Sequence, residues 1–217
     1  VLWGVKYSTM PWDAITLSSP TTISKLWFAI SGGSVASQLG GGLLMMARGG
    51  GDVSGDGIDD FVIADFSSNI SFVIFGHPSN WTGWNSLSLS SLDGSNSGFR
   101  IFSDHGQFGY ITGVIGDINS DGISDISISS PLASCVHLVF GRRVASSPFP
   151  NVINSSTCGG VFCTKLMSFS GKIENAAGVD INGDGITDVA VSGWNATISG
   201  TLGSSIGRVS VIFGHAG

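Results

Sequence analysis

Three short acidic stretches with one shared pattern constrain this 217-residue chain more than any other feature. They read DVSGDGIDD at 52–60, DINSDGISD at 117–125 and DINGDGITD at 180–188, and are called here the first, second and third acidic loops. In each loop Asp occupies positions 1, 5 and 9, Ser or Asn occupies position 3, and Gly occupies position 6. Their first residues, Asp52, Asp117 and Asp180, recur at almost equal intervals, which indicates an internal repeat.

Alternating oxygen-bearing side chains are typical of a calcium loop, because Ca²⁺ takes about 6–8 hard oxygen ligands. Gly at position 6 permits the sharp turn that such a loop needs. We therefore predict three calcium sites, each built from four side chains and the carbonyl of the Ile at position 7. The predicted ligands are Asp52, Ser54, Asp56, Ile58 and Asp60; Asp117, Asn119, Asp121, Ile123 and Asp125; and Asp180, Asn182, Asp184, Ile186 and Asp188.

The three loops are expected to bind their ions independently and to lead into strands. In an EF-hand a glutamate occupies position 12, whereas Ile63, Ile128 and Val191 stand there in this chain. The alternative is that the Asp-Gly and Asn-Gly steps are ordinary turns between strands. Three copies with carboxylates at the same positions favour the calcium interpretation.

Other landmarks recur in step with the acidic loops. An aromatic-glycine pair ends a strand at 3–4, 75–76, 140–141 and 213–214. Apolar strands are predicted at 26–30, 99–102 and 166–169, alternating strands at 61–64, 126–129 and 189–192, and a closing strand at 71–75, 136–140 and 209–213. The stretches before the loops, 31–51, 103–116 and 170–179, differ in length and are expected to be surface loops. Each unit is predicted to carry four short strands, of which the three above are located, and a repeat of four strands is typical of a β-propeller blade.

The composition argues against nucleic-acid binding and against a membrane-spanning segment. Charged residues make up 11% of the chain and the formal net charge is −6; with no basic stripe in the sequence, nucleic acid is not an expected partner. No apolar run approaches the ~20 residues needed for a membrane span. With no initiator Met or signal peptide at Val1, the numbering is expected to start inside a longer or processed precursor.

Cysteines and sequons favour an extracellular location. Cys158 and Cys163 are close enough in sequence to close a small hairpin as a disulfide, with three reduced thiols as the alternative. Cys135 is left over as a free thiol or a link to another chain. N-glycosylation is predicted at four sequons, Asn69, Asn80, Asn154 and Asn195. A secreted, extracellular or cell-surface protein is therefore expected.

No catalytic residues are predicted. The four histidines, His77, His105, His137 and His215, belong to no recognisable catalytic motif. Exposed Trp12, Trp81 or Trp84 side chains would suit stacking on sugars, which keeps a carbohydrate-binding, lectin-like module as an alternative function. Packing of these tryptophans between blades is the simpler interpretation.

The residues above resemble the FG-GAP repeats of the integrin α-subunit propeller. The second repeat matches best, with Phe108-Gly109 before its acidic loop and Ser129-Ser130-Pro131 in the GAP position. The resemblance implies an all-β segment over 1–217 of three four-stranded FG-GAP repeats, at about 4–76, 76–141 and 141–214. Because the family's propeller has seven blades with calcium loops at its rim, these three repeats are expected to be part of a larger or multi-chain propeller.

The resemblance also implies a function. Such propellers serve adhesion or scaffolding, so we expect a non-catalytic, calcium-binding protein whose partners are other protein chains, in adhesion or in self-assembly. A second alternative is that the propeller is an appendage of a secreted hydrolase, since some phospholipases carry FG-GAP repeats. In that case the chemistry would lie in another domain.

Overall fold

The computed structural model describes residues 48–65, 67–78, 87–104, 106–158, 162–167, 172–196 and 206–216. Within these residues the fold is all-β, as predicted. The strands are β1 Arg48–Gly51, β2 Asp60–Asp65, β3 Ile70–Ile74, β4 Gly98–Phe102, β5 Thr112–Gly116, β6 Asp125–Ser130, β7 Cys135–Val139, β8 Val152–Asn154, β9 Cys163–Met167, β10 Lys172–Val179, β11 Asp188–Ala196 and β12 Ile206–Ile212. The described residues also include three single-turn 3₁₀ helices, at Leu89–Ser91, Pro131–Ala133 and Ser155–Thr157.

The described strands form three sheets that repeat one arrangement. Their orders are β1-β2-β3-β4-β8, β5-β6-β7-β9 and β10-β11-β12. Neighbouring strands are antiparallel, apart from β4 and β8, which are parallel. In each sheet the first strand precedes an acidic loop and the second strand follows it.

Each acidic loop leads directly into a strand. The strands β2, β6 and β11 begin at Asp60, Asp125 and Asp188, the ninth residues of the three loops. The prediction of a strand in place of the second helix of an EF-hand is thereby confirmed. Each loop thus connects two paired strands of one sheet.

The stretches before the acidic loops end in strands, so the expectation of surface loops is wrong for those parts. Residues 31–47, and the strand predicted at 26–30, lie outside the described residues. The three strands are β1, β5 and β10, and β10 pairs with β11 from Lys172 to Val179. Glycine and polar residues hide the strand pattern here. A Cβ at Gly178 would collide with the carbonyl oxygen of Ile115 in the neighbouring sheet, so glycine marks a close approach of two backbones.

The sheets combine strands from consecutive sequence repeats. The strand predicted at 99–102 lies in β4 and pairs with β3, the strand before the Phe75-Gly76 pair. Likewise β9 pairs with β7, and it begins at Cys163, three residues before the predicted start at 166. Residues near 76 and 141 therefore separate sequence repeats but not sheets.

Two apolar clusters hold the three sheets together. The first joins Val62 and Val73 of the first sheet to Ile126 and Ile128 of the second. The second joins β7 of the second sheet to the third sheet, where Val189 and Val191 are buried. Consecutive sheets therefore pack face to face.

All three cysteines lie in the described region. Cys158 and Cys163 form a disulfide with their Cα atoms 4.9 Å apart. Cys135, on β7, is a buried free thiol. The helices of the described region are single turns, and none has the length and apolar character of a membrane span.

Candidate metal sites

The three acidic loops share one backbone conformation. Position 6 is left-handed in each, with φ of 89° at Gly57, 82° at Gly122 and 86° at Gly185. Position 4 is also left-handed, including the non-glycine residue Ser120 at φ 60°. Left-handed conformation costs an ordinary residue about 1–2 kcal/mol, so the loop geometry compensates that cost at Ser120.

The aspartate at position 1 organises the loop from inside. Asp52 Oδ1 accepts hydrogen bonds from the amides of Gly55 at 2.6 Å and Asp56 at 3.1 Å, while Oδ2 accepts one from Gly57 at 2.8 Å. In the second loop Asp117 accepts from the amides of Asp121 and Gly122, and in the third Asp180 accepts from those of Gly183 and Gly185. A carboxylate with its oxygens turned into the loop is thus common to all three.

The aspartate at position 5 stabilises the second turn of the loop. Its Oδ1 accepts the amide of the Ile at position 7, at 2.8 Å for Asp56, 2.9 Å for Asp121 and 2.8 Å for Asp184. In the second and third loops the Asn at position 3 donates its side-chain amide to the other oxygen, at 3.1 and 2.9 Å. The first loop has Ser54 at position 3, whose hydroxyl bonds Asp52 at 3.3 Å.

The aspartate at position 9 has a role that the sequence did not reveal. Asp60 Oδ2 accepts the amides of Val53 and Ser54, both at 2.7 Å, and Oδ1 accepts that of Gly76 at 2.6 Å. This carboxylate therefore fastens the start of its loop to the Phe-Gly pair that follows β3. The only sequence signal was that Phe-Gly pairs and acidic loops recur in step. With about four acceptor sites on a carboxylate, one acceptor site of Asp60 remains for a cation.

Burial makes Asp60 and Asp125, the position-9 carboxylates of the first two loops, costly to ionise without a counter-charge. Desolvation raises the pKa of Asp60 to about 7, against the lowering effect of its amide donors, and the charge of Asp52 raises it further. Desolvation also raises the pKa of Asp125 to about 7, and the charges of Asp121 and Asp117 add to it. A bound cation would offset this cost of ionisation.

The loops fit a calcium ion by the chemistry of their donors. Among the described residues no group of three or more His, Cys, Asp or Glu side chains is already arranged to hold a metal ion. Each loop nevertheless offers carboxylate oxygens at positions 1, 5 and 9, an amide or hydroxyl oxygen at position 3 and a carbonyl at position 7. An all-oxygen set of this kind is the one Ca²⁺ prefers, and its ligation stays a prediction.

Of the three sequons in the described residues, Asn69 occupies a turn and Asn154 and Asn195 lie on the strands β8 and β11. Asn69 lies in the β2–β3 turn at φ 54° and its side-chain oxygen accepts the Phe108 amide at 3.3 Å. Asn154 precedes a 3₁₀ helix and accepts the Ser156 amide at 2.9 Å, and Asn195 lies on β11. Glycosylation of the sequons stays a prediction. Asn80, Trp12, Trp81, Trp84 and His105 lie outside the described residues.

Comparison with known proteins finds integrin α subunits. No protein-family model matches the chain. It is 30% identical to integrin alpha-E of Homo sapiens over 135 residues, covering 54% of this chain and 10% of that protein. It is 29% identical to integrin alpha pat-2 of Caenorhabditis briggsae over 98 residues, covering 42% of this chain and 8% of that protein. The chain spans about a tenth of the length of these curated relatives, and its resemblance to integrin α subunits is confirmed over about half of its own residues.

Proposed function

We propose that the chain is a calcium-stabilised, non-catalytic segment of an extracellular β-propeller that serves adhesion, or a structural assembly, through contacts with other protein chains. The observation that carries the proposal is the shared fold of three acidic loops, one on each of three packed sheets. Similarity to integrin α subunits supports an adhesive role at the cell surface. The carbohydrate-binding alternative depends on tryptophans outside the described residues, and no described contact favours it.

The ion would be held by the oxygens at positions 1, 3, 5, 7 and 9 of each loop. When bound, it would supply the positive charge that offsets the mutual repulsion and burial of the carboxylates. The chain itself shapes the loop, because the aspartates at positions 1 and 5 hold the main-chain amides in place. An ion that binds only the folded loops stabilises the folded state.

The third sheet supports the view that these sheets belong to a larger array. Val209, Val211 and Phe213 on or beside β12 are 66%, 41% and 59% exposed. Counted back from the shared Phe-Gly pair, five of the six equivalent side chains of the first two sheets are buried, and the sixth, Phe140, is half-buried and packs against the second apolar cluster. The buried equivalents are Ser71, Val73 and Phe75 in the first sheet and Val136 and Leu138 in the second. An apolar surface of this kind marks a packing site, as a larger or multi-chain propeller requires.

Thermal unfolding in EDTA and in millimolar Ca²⁺ tests the ion. Calcium should raise the melting temperature by about 5 °C or more, given the stabilisation expected from saturating ligand. Asp56→Asn should reduce this rise because it weakens a predicted ligand. Asp59→Asn is the matched control, since Asp59 is an exposed aspartate of the same loop at position 8, which is not a predicted ligand. Identical melting curves with and without calcium would contradict the proposal.

Labelling of intact cells tests the location. A membrane-impermeant amine reagent should modify the natural protein on cells that express it, or in their medium, without lysis. The control is a cytosolic protein, which should stay unlabelled until the cells are opened. Labelling of this chain only after lysis would contradict an extracellular role.

A further inference from the structure

The acidic loops are bonded directly to one another. The Ser124 amide in the second loop donates to the Asp52 carbonyl in the first at 2.8 Å. The Thr187 amide in the third loop donates to the Asp117 carbonyl in the second at 3.1 Å. In both cases position 8 of one loop meets position 1 of the preceding loop. A loop therefore cannot rearrange at these positions without disturbing its neighbour.

The first loop makes further main-chain bonds to the segment that follows Phe140-Gly141, which lies outside the second loop. Beyond the Ser124 bond, the amide of Arg142 donates to the Val53 carbonyl at 3.0 Å and that of Val144 to the Ser54 carbonyl at 2.9 Å. Each junction has one main-chain hydrogen bond between the loops themselves. Among the described residues after Phe213-Gly214, no amide donates to the second loop, and Gly217, the counterpart of Val144, lies outside the described residues. Within the described residues, the first loop is thus bonded to more of the next sheet's chain than the second loop is.

Burial of the loops follows the same order. Position 2 is fully buried as Val53 in the first loop, nearly buried as Ile118 in the second and 50% exposed as Ile181 in the third. The segment after Phe140-Gly141 covers the first loop through the Arg142 and Val144 bonds. The loop that receives more hydrogen bonds from the next part of the chain is therefore also the loop that is more deeply buried.

We propose that the three acidic loops form a series of coupled sites, in which the order of each loop, and with it its affinity for Ca²⁺, depends on the neighbouring loop. Coupling is stronger at the first junction than at the second. The identity of the ion rests on the proposed function, whereas the coupling rests on the bonds between loops and replaces the expectation of independent sites. Coupling of binding is reciprocal, so an ion in the first loop must favour the second as much as the reverse.

A metal-free experiment isolates the coupling. A Cβ at Gly76 would press on Asp59 and Ile58 of the first loop, and none of its closest neighbours lies in the second loop. In EDTA, Gly76→Ala should therefore speed hydrogen exchange in the second loop, at amides such as Gly122, by about fivefold or more if the loops are coupled. The third loop should respond less.

The control is Gly94→Ala, whose Cβ would press on the main chain of Phe149 and Asn151, neither of which belongs to an acidic loop. It should leave exchange in the second loop unchanged, which separates coupling from general destabilisation. Faster exchange in the first loop of Gly76→Ala with no change in the second would overturn the proposal.

Calcium titration gives a second measurement should Gly76→Ala fail to fold. The calcium concentration that half-protects the second loop should rise about fivefold in Asp56→Ala, and less in Asp184→Ala. Unchanged second-loop midpoints in both variants would overturn the coupling. If the hydrogen-exchange rates of all three wild-type loops are the same with and without calcium, the proposed function is refuted. The metal-free comparison would still decide whether the loops are coupled.

Discussion

Gly141 donates its main-chain amide to Asp125 Oδ1 at 2.8 Å, which fastens the end of the β7 segment to the last residue of the second acidic loop. The equivalent bonds join Gly76 to Asp60 at 2.6 Å and Gly214 to Asp188 at 2.9 Å. This contact explains why Phe-Gly pairs and acidic loops recur in step along the chain. It also separates two roles for the acidic residues, one in the fold and one toward a cation.

Asp125→Ala should destabilise the protein with or without calcium. The amides of Ile118 and Gly141 would lose their acceptor in a buried site, at roughly 1–3 kcal/mol each. At about 2–4 °C per kcal/mol, the melting temperature should fall by about 5–15 °C in EDTA as well as in Ca²⁺. Calorimetry in both buffers measures this.

Asp121→Ala is the comparison, since this exposed carboxylate accepts the Ile123 amide in a hydrogen bond that is only partly buried. Its effect should be small in EDTA and large in calcium. Equal losses for Asp121→Ala and Asp125→Ala in EDTA would show that position 9 has no special role in the fold.

Sequence patterns predicted which residues form strands better than they predicted which strands pair. Alternation identified β2 and β6, because each alternates side chains between two faces of a sheet. The pairing of β4 with β3, and the parallel addition of β8 at Val152–Asn154, were not predictable, because alternation does not encode which strand lies alongside. The role of Asp60 was missed for a similar reason, since its Gly76 donor is sixteen residues away.

Asp93 should contribute to stability at neutral pH and lose that contribution in acid. Partial burial by itself raises the pKa of Asp93, but hydrogen bonds from the Asn96 side chain and from the amides of Asn96, Ser97 and Ser95 outweigh it and hold the pKa well below its usual range. A carboxylate with a lowered pKa stabilises the folded state above its unfolded pKa, and the benefit disappears as the pH falls through the folded pKa.

Asp93→Asn should therefore lower the melting temperature by about 2–4 °C at pH 7 and by progressively less below about pH 4. Melting curves of wild type and variant across this range provide the measurement. A difference that is the same at acidic and neutral pH would mean that the Asp93 charge is not involved.

The disulfide between Cys158 and Cys163 should stabilise the edge of the second sheet. Cys163 begins β9 and is buried in the first apolar cluster. Closing a loop this short is worth about 2 kcal/mol on the chain-entropy estimate, so Cys158→Ala should lower the melting temperature by about 4–8 °C. A reducing agent should lower that of wild type and leave the variant unchanged. A variant that still responds to reductant would point to another cause.

Phe75→Ser should lower stability and Phe213→Ser should lower self-association, although the two residues occupy the same place in their repeats. Phe75 is 1% exposed and packs against Phe99 with ring centroids 6.0 Å apart, so its loss should cost about 3–5 kcal/mol. Phe213 is 59% exposed, so its replacement should leave the melting temperature nearly unchanged and reduce self-association, as measured by light scattering after size exclusion. Equal destabilisation by both substitutions would mean that another part of this chain already covers the outer face of the third sheet.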